Sequence, residues 1–324
     1  MNSTPQNNPG FASNKKADWG ESNTWCWKNL SSHWRVVGEN NKSVIVLIHG
    51  FGASSAHWRF NASYFAKAGF RVYGIDLIGF GKSEQPSTRK IKKLDNNFWS
   101  EQIGAFLKEV AKVDKDSKAI LIGNSIGGLT ALTTSKYYPE LVSAVIAAPL
   151  PDPVLMGPSN DFMPIWVKNL KNFLLTLFFK LLPLELLIPL IARTKLINGA
   201  LQLAYHRSIK SDLSLQRIVK EPAKRKTAAR ALRAMCIGMG IRKNIYTAPF
   251  LLDHLAKSRN RPPILLVWGR QDKLVPLIIG KRLIAKHPWL KLLILENTGH
   301  CPHDETPITF NQNILSWLKI NLQI

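Results

Sequence analysis

The sequence predicts an α/β fold in which a doubly wound, mostly parallel sheet is interrupted by a helical insertion. Three observations carry that prediction. Continuous apolar runs of strand length recur between segments of helical pattern, as expected for strands covered on both faces. Several of these runs end in glycine-rich or polar loops: SVIVLIHG (Ser43–Gly50), AILIG (Ala119–Gly123) and PILLVWG (Pro263–Gly269). The alternation stops at Pro151 and resumes at Pro263, with no parallel strand between.

Residues 1–20 are rich in Asn, Ser and Pro and carry no apolar h-region, so they read as a disordered tail and not as a secretory signal. The three cysteines (Cys26, Cys236, Cys301) have unrelated spacings. Such a set fits neither a disulfide framework nor a zinc site, and with the tail it points to a cytoplasmic, reducing setting. The first part of the core spans 21–150. It opens with a hairpin (Trp25–Trp27, Trp34–Val37) and continues with strand 43–50, a helical pattern, strand Phe70–Leu77 and a helix from Phe98 to Val113. AILIG is then strand, GLTALTTSKYY helix and Leu141–Leu150 strand. Residues 151–262 read as helices punctuated by prolines, an inserted cap or lid. Residues 263–324 complete the core with strand 263–269, helix Pro276–Lys286, strand Leu290–Asn297 and helix Ile308–Leu318.

The chemistry-bearing residues sit where these strands end. Gly-Asn-Ser-Ile-Gly-Gly (123–128) lies between a strand and a helix, the context in which G-x-S-x-G forms a nucleophile elbow. A serine hydroxyl needs a base and an exposed position to attack, and the sharp bend demands small neighbours such as Gly123 and Gly127. Without partners Ser125 is only a small residue in a glycine-rich turn. Asp272 and His300 supply the partners. Each follows the C-terminal end of a later strand, in the chain order Ser, acid, His, on the sheet edge where Ser125 projects. His300 is expected to take the Ser125 proton, with Asp272 holding the imidazole tautomer. Asp152 is the alternative acid, His303 and Asp304 either cap the last helix or brace the loop, and Cys301 is a small buried neighbour. In HGFGASSAHW (His49–Trp58) the glycines let backbone turn inward, which assigns the N–H groups of Phe51 and Ile126 to an oxyanion hole.

Other classes find less support. DLIGFGKS (Asp76–Ser83) matches neither a P-loop nor a dinucleotide-binding spacing and reads as a structural loop beside the site. No His/Cys/carboxylate cluster has metal-ligand spacing, so neither metal nor cofactor is expected. The net charge is +23, but no nucleic-acid-binding motif accompanies it, so nucleic acid is not an expected partner.

Together the motifs resemble the α/β-hydrolase superfamily across the chain, the tail excluded and the cap only loosely matched. HGFGASSAHWR, DLIGFGKS, GNSIGG and GHCPHDETP are similar to pheophytinase and chlorophyll dephytylase-type hydrolases of plants and cyanobacteria. That resemblance implies a serine carboxylic ester hydrolase with Ser125 as nucleophile, acting on the phytyl ester of a chlorophyll-derived pigment. Related dehalogenases and epoxide hydrolases carry aspartate where Ser125 stands. The short polar N-terminus departs from the plant members and suits a bacterial one. The same triad also serves thioesterases, C–C hydrolases and lyases, and the rival from another class is a non-catalytic accessory protein of pigment metabolism.

Substrate-binding residues are expected in the cap, between Pro151 and Arg261. Its segment LKNFLLTLFFKLLPLELLIPLIARTKL (Leu170–Leu196) is strongly apolar, yet lysines, a glutamate and prolines interrupt it, unlike a spanning helix. From Pro151 to Arg261 there are 19 Lys/Arg against 6 Asp/Glu, more than half the excess charge of the chain. The apolar helices predict a lipophilic substrate and either simple burial over the active site or, with the basic residues beside them, peripheral contact with an anionic membrane, thylakoid-type if the pigment reading holds. The basic stretch alone also fits a solvated surface.

Overall fold

A computed structural model describes residues 18–156, 164–194 and 196–322. Its eight strands are β1 (Glu21–Trp27), β2 (Leu30–Val37), β3 (Ser43–Ile48), β4 (Phe70–Ile75), β5 (Ala119–Asn124), β6 (Val142–Ala148), β7 (Ile264–Gly269) and β8 (Lys291–Leu295). They form one sheet in the order β1-β2-β4-β3-β5-β6-β7-β8. The hairpin β1–β2 and the pair β2–β4 are antiparallel, whereas β4-β3-β5-β6-β7-β8 is parallel throughout. Lys28 and Asn29 close the hairpin with φ of 51° and 58°, the left-handed pair that a two-residue turn between twisted strands requires. The hairpin is longer than the apolar pattern suggests because β1 is an edge strand whose outer residues, Glu21–Thr24, are exposed and polar.

The helices in chain order are α1 (Ala62–Lys67), α2 (Asn96–Glu109), α3 (Ile126–Tyr137), α4 (Pro153–Met156), α5 (Ile165–Leu181), α6 (Leu184–Arg193), α7 (Leu196–Leu203), α8 (Leu213–Ala223), α9 (Ala228–Gly240), α10 (Ala248–Lys257), α11 (Leu277–Lys286), α12 (Pro302–Glu305) and α13 (Pro307–Leu322). The continuous apolar runs follow from layers on both sheet faces. On β3, Val44, Val46 and Ile48 join the core under α2, α3, α10 and α11, while Ile45 and Leu47 join the core under α1 and α13. With period 2 and both faces covered, every position must be apolar.

Two boundaries differ from the sequence reading. Residues 1–17 of the tail expected over 1–20 lie outside the described residues, but Trp19 is buried against Gly74, and its Nε1–H donates to Ser55 O at 3.0 Å. A buried indole with a satisfied donor belongs to the core, so the tail ends before it. The cap expected over 151–262 is shorter at its C-terminal end. Leu251, Leu252 and Leu255 of α10 are buried in the same core as α3, which makes α10 the crossover helix between β6 and β7. Proline-rich helical patterns do not distinguish a crossover from a cap, because both bury one apolar face.

The chain leaves β3 toward β4 on one side and returns with β5 on the other. The C-terminal ends of β3 and β5 therefore flank a topological switch point, where loops diverge and leave a crevice.

Candidate active site

Ser125 stands at that crevice, between the end of β5 and the first turn of α3. Its φ/ψ of 53°/−119° lies in a region that L-residues avoid, at a cost of ~1–3 kcal/mol. Close packing enforces it. A Cβ on Gly123 would collide with Gly127 O, and one on Gly127 would collide with Ile48 O. Asn124 Nδ2–H donates to Ala148 O at 2.6 Å and His300 O at 3.1 Å, which ties the elbow to the histidine loop.

His300 follows β8, and its Nδ1 lies 2.9 Å from Asp272 Oδ2. Asp272 has two tasks. Its Oδ1 accepts from Leu274 N–H at 2.8 Å and Val275 N–H at 2.9 Å, which closes the turn after β7 and points Oδ2 at the imidazole. Asp152, the alternative acid, is occupied elsewhere: it pairs with Arg242 and its Oδ2 accepts from Ala248 N–H at 2.6 Å, pinning α9 and α10 to the end of β6.

The other wall of the crevice follows β3. Leu77 N–H donates to His49 Nε2 at 3.0 Å, so His49 Nδ1 carries the proton and donates to Gly50 O at 2.8 Å. Burial keeps this imidazole neutral by lowering its pKa. A Cβ on Gly50 would stand 3.3 Å from Ser125 Cβ, so the loop carrying Phe51 runs directly alongside the elbow. Ile126 is the first residue of α3, where N–H groups have no partner within the helix and the macrodipole favours negative charge. Asp76 supports the loop by accepting from Ser55 N–H at 2.6 Å and Lys82 N–H at 2.7 Å. Burial would raise its pKa, but His33, His49 and the Ser55 N–H outweigh it and hold the carboxyl at about 2.

A second cluster lay beyond sequence reasoning. Arg59, Arg207, Asp212 and Asp304 form a buried four-charge network between the core and the cap. Arg59 Nη1 and Nη2 donate to Asp212 at 2.9 and 2.7 Å, and its Nε donates to Asp304 Oδ1 at 2.8 Å. Arg207 Nη2 donates to Asp212 at 2.9 Å and Asp304 at 3.2 Å. Asp304 thus braces the histidine loop against the cap and does not cap α13. Beside it, His303 Nε2 lies 3.3 Å from His57 Nδ1, His57 Nε2 lies 2.7 Å from Tyr205 Oη, and Tyr205 Oη donates to Asp304 Oδ2 at 3.1 Å. One proton arrangement satisfies this chain, with both imidazoles neutral and each donating through Nε2. Burial accordingly lowers the His57 pKa to about 4 and that of His303 well below normal. His300 N–H donates to Ala204 O at 2.8 Å, and Glu305 Oε2 accepts from His206 N–H at 2.7 Å, so the cap is bonded to the loop bearing the histidine. These partners are separated by up to 246 residues, and the cap's Tyr205, Arg207 and Asp212 sit in no motif.

Ser125 and His300 open onto one cavity of about 600 Å³. Ile188, Ile191, Ile197, Val219 and Leu232 of the cap form much of its wall, with Phe51 and Phe80 on the core side and Cys301 beside the histidine. Among the described residues that line it, none is Lys, Arg, Asp or Glu.

An elbow serine at a switch point, an imidazole facing the same cavity and an acid behind it define the scaffold of an enzyme of nucleophilic hydrolysis. The chain belongs to the α/β hydrolase fold family, whose model matches residues 43–307. Over 304 residues it is 27% identical to a 2-hydroxy-6-oxononadienedioate/2-hydroxy-6-oxononatrienedioate hydrolase of Pseudomonas sp, covering 90% of this chain and 92% of that one. Among solved structures it is similar to an α/β hydrolase fold protein from Burkholderia ambifaria (TM-score 0.67, 20% identity, covering 91% of this chain and 97% of the other). It is also similar to a thermophilic esterase from Thermogutta terrifontis (TM-score 0.66, 16% identity, covering 93% and 98%). The Pseudomonas relative is not of the pheophytinase type that the motifs resemble.

Proposed function

We propose that this hydrolase cleaves a carboxylic ester of a lipophilic, uncharged substrate by a Ser125–His300–Asp272 triad. Ser125 Oγ attacks the acyl carbon while His300 Nε2 takes its proton, and Asp272 accepts the hydrogen bond from His300 Nδ1–H. The N–H groups of Phe51 and Ile126 donate to the oxyanion, each worth ~2.7–4 kcal/mol of transition-state stabilisation. His300 returns the proton to the departing alcohol. It then deprotonates a water that attacks the acyl-enzyme and frees the acid.

The observation that carries the substrate class is the cavity wall. A dioate presents two carboxylates, and burying them unpaired costs several kcal/mol each. Among the described residues the lining offers no Lys or Arg to pair with them, and its aliphatic side chains suit a hydrocarbon chain. Within this class, the phytyl ester implied by the motif resemblance is the particular substrate to try first. The second reading, carbon–carbon hydrolysis of an oxo-acid by the same triad, is favoured by the name of the Pseudomonas relative.

The test is fluorophosphonate labelling of wild type and Ser125→Ala, followed by hydrolysis of a panel. That panel holds p-nitrophenyl esters from acetate to palmitate, a phytyl ester, a long-chain acyl thioester and a 2-hydroxy-6-oxo-dienedioate. Labelling confined to wild type, with preference for long apolar esters, supports the proposal. Faster turnover of the dienedioate or of the thioester overturns the ester reading, and absence of labelling overturns the triad.

A further inference from the structure

The outer face of the cap is apolar, and among the described residues nothing covers it. On α5, Trp166, Leu170, Phe173, Leu177 and Leu181 recur at i, i+4, i+7, i+11 and i+15, one side of a helix, and all are exposed. Leu174 and Phe178 widen the stripe. Leu186 and Leu190 continue it on α6, and Leu186 is 75% exposed. The opposite side of α5 is the one that packs: Arg233 Nε–H donates to Phe179 O at 2.8 Å, and Leu175 fills the space beside Gly240. The exposed stripe therefore remains after the cap has docked.

Charge selects the occupant. At 100° per residue, Lys171 and Lys180 fall on the two flanks of the stripe, where their stems run along apolar surface and their ammonium groups reach outward. There is no Asp or Glu in α5, and Glu185, at the start of α6, is already paired with Arg233. A second copy meeting this face would bring lysines against lysines on a chain of net charge +23. An anionic bilayer supplies both the apolar layer and the counter-charge.

Geometry decides between lying on the bilayer and crossing it. Among the described residues no single helix is long and apolar enough to span, and α5 and α6 are bent by 61°. Ile188 and Ile191 of α6 line the cavity, so drawing α6 into the bilayer would dismantle the cavity wall.

We infer that the α5–α6 face is a docking surface for an anionic lipid bilayer, with the stripe immersed at headgroup depth and the lysines on phosphates. The surface stands independently of the bond cleaved, and its test reads binding without turnover. The full chain is floated with vesicles of phosphatidylcholine alone or doped with phosphatidylglycerol, at low and at molar salt. It should float with the doped vesicles at low salt and stay behind with neutral ones. Each cation near the surface is worth about fivefold in partitioning, so Lys171→Gln/Lys180→Gln should bind about 25-fold more weakly. Phe173→Asp/Leu177→Asp should no longer float, while keeping the wild-type far-UV circular dichroism spectrum and Tm, since both residues are exposed. No flotation of wild type with doped vesicles overturns the proposal, as does unchanged flotation of the Asp variant. A dimer in sedimentation that the Asp variant dissociates, without flotation, assigns the face to a second copy and likewise overturns it.

Discussion

Replacing Asp304 by asparagine tests whether the buried charge network holds cap to core. Asp304 accepts from Arg59 Nε at 2.8 Å, Arg59 Nη2 at 3.0 Å, Tyr205 Oη at 3.1 Å and Arg207 Nη2 at 3.2 Å. Asparagine keeps one acceptor and turns an amide toward a guanidinium donor. It also leaves two arginines facing the single carboxylate of Asp212, one uncompensated charge in a site where Arg59 is almost wholly buried. Removing one partner of such a network costs ~3–5 kcal/mol. For a chain of this size that is roughly a 4–7 °C fall in Tm. Urea unfolding at pH 7, followed by far-UV circular dichroism, reads the loss. Arg207→Met in the same background restores one carboxylate to one guanidinium and should recover part of it, with a coupling energy of at least ~1 kcal/mol between the two sites. Asp304→Asn within about 0.5 kcal/mol of wild type, the scatter of ordinary surface substitutions, would refute the reasoning.

Asp272→Asn should lower kcat by about 10⁴ by presenting the wrong hydrogen-bonding group to His300 Nδ1, whereas Asp152→Asn should lower stability and leave the remaining folded enzyme active; equal kcat losses would show the acid to be misassigned. Gly127→Ala, whose Cβ would strike Ile48 O, should yield little folded protein, and a wild-type Tm would mean the elbow is less tightly packed than the structure has it. Ile188→Trp should cut kcat/KM by 10–200-fold for each methylene of chain that loses its place, while acetate esters keep near wild-type rates; an unchanged chain-length profile would move the acyl or alkyl site elsewhere. His57 stays neutral in the fold with a pKa of about 4, whereas the unfolded chain protonates it near 6.5, so the unfolded state binds the extra proton between those values. Stability should therefore fall as pH drops from 6.5 toward 4, by up to ~1.4 kcal/mol per pH unit for this group. His57→Gln should flatten that slope by about one proton, and parallel wild-type and variant curves would argue against a neutral, buried His57.

The strand–helix alternation and the elbow were legible because their causes are local. Two covered sheet faces force every strand residue to be apolar, and a bend tight enough to expose Ser125 forces glycine at 123 and 127. The order Ser125, Asp272, His300 was legible for a related reason, since each residue follows a strand and parallel strands deliver their ends to one edge. The full length of β1 was hidden by its polar exposed face, and the assignment of α10 by the likeness of crossover and cap helices.

What the sequence determined by itself is thus the fold class and the residue types at the crevice, both products of backbone geometry and short-range periodicity. Only the tertiary structure decided that Asp272 and not Asp152 reaches the imidazole, because both carboxylates follow strands and hydrogen bonds alone separate them. It also decided that Arg59, Asp212 and Asp304 share a site, and that Ile188, Ile191 and Ile197 of the cap face the cavity while Trp166, Phe173 and Leu177 face outward. An apolar helix looks the same in sequence whichever side is covered, and only the packing of its neighbours gives it an inside and an outside.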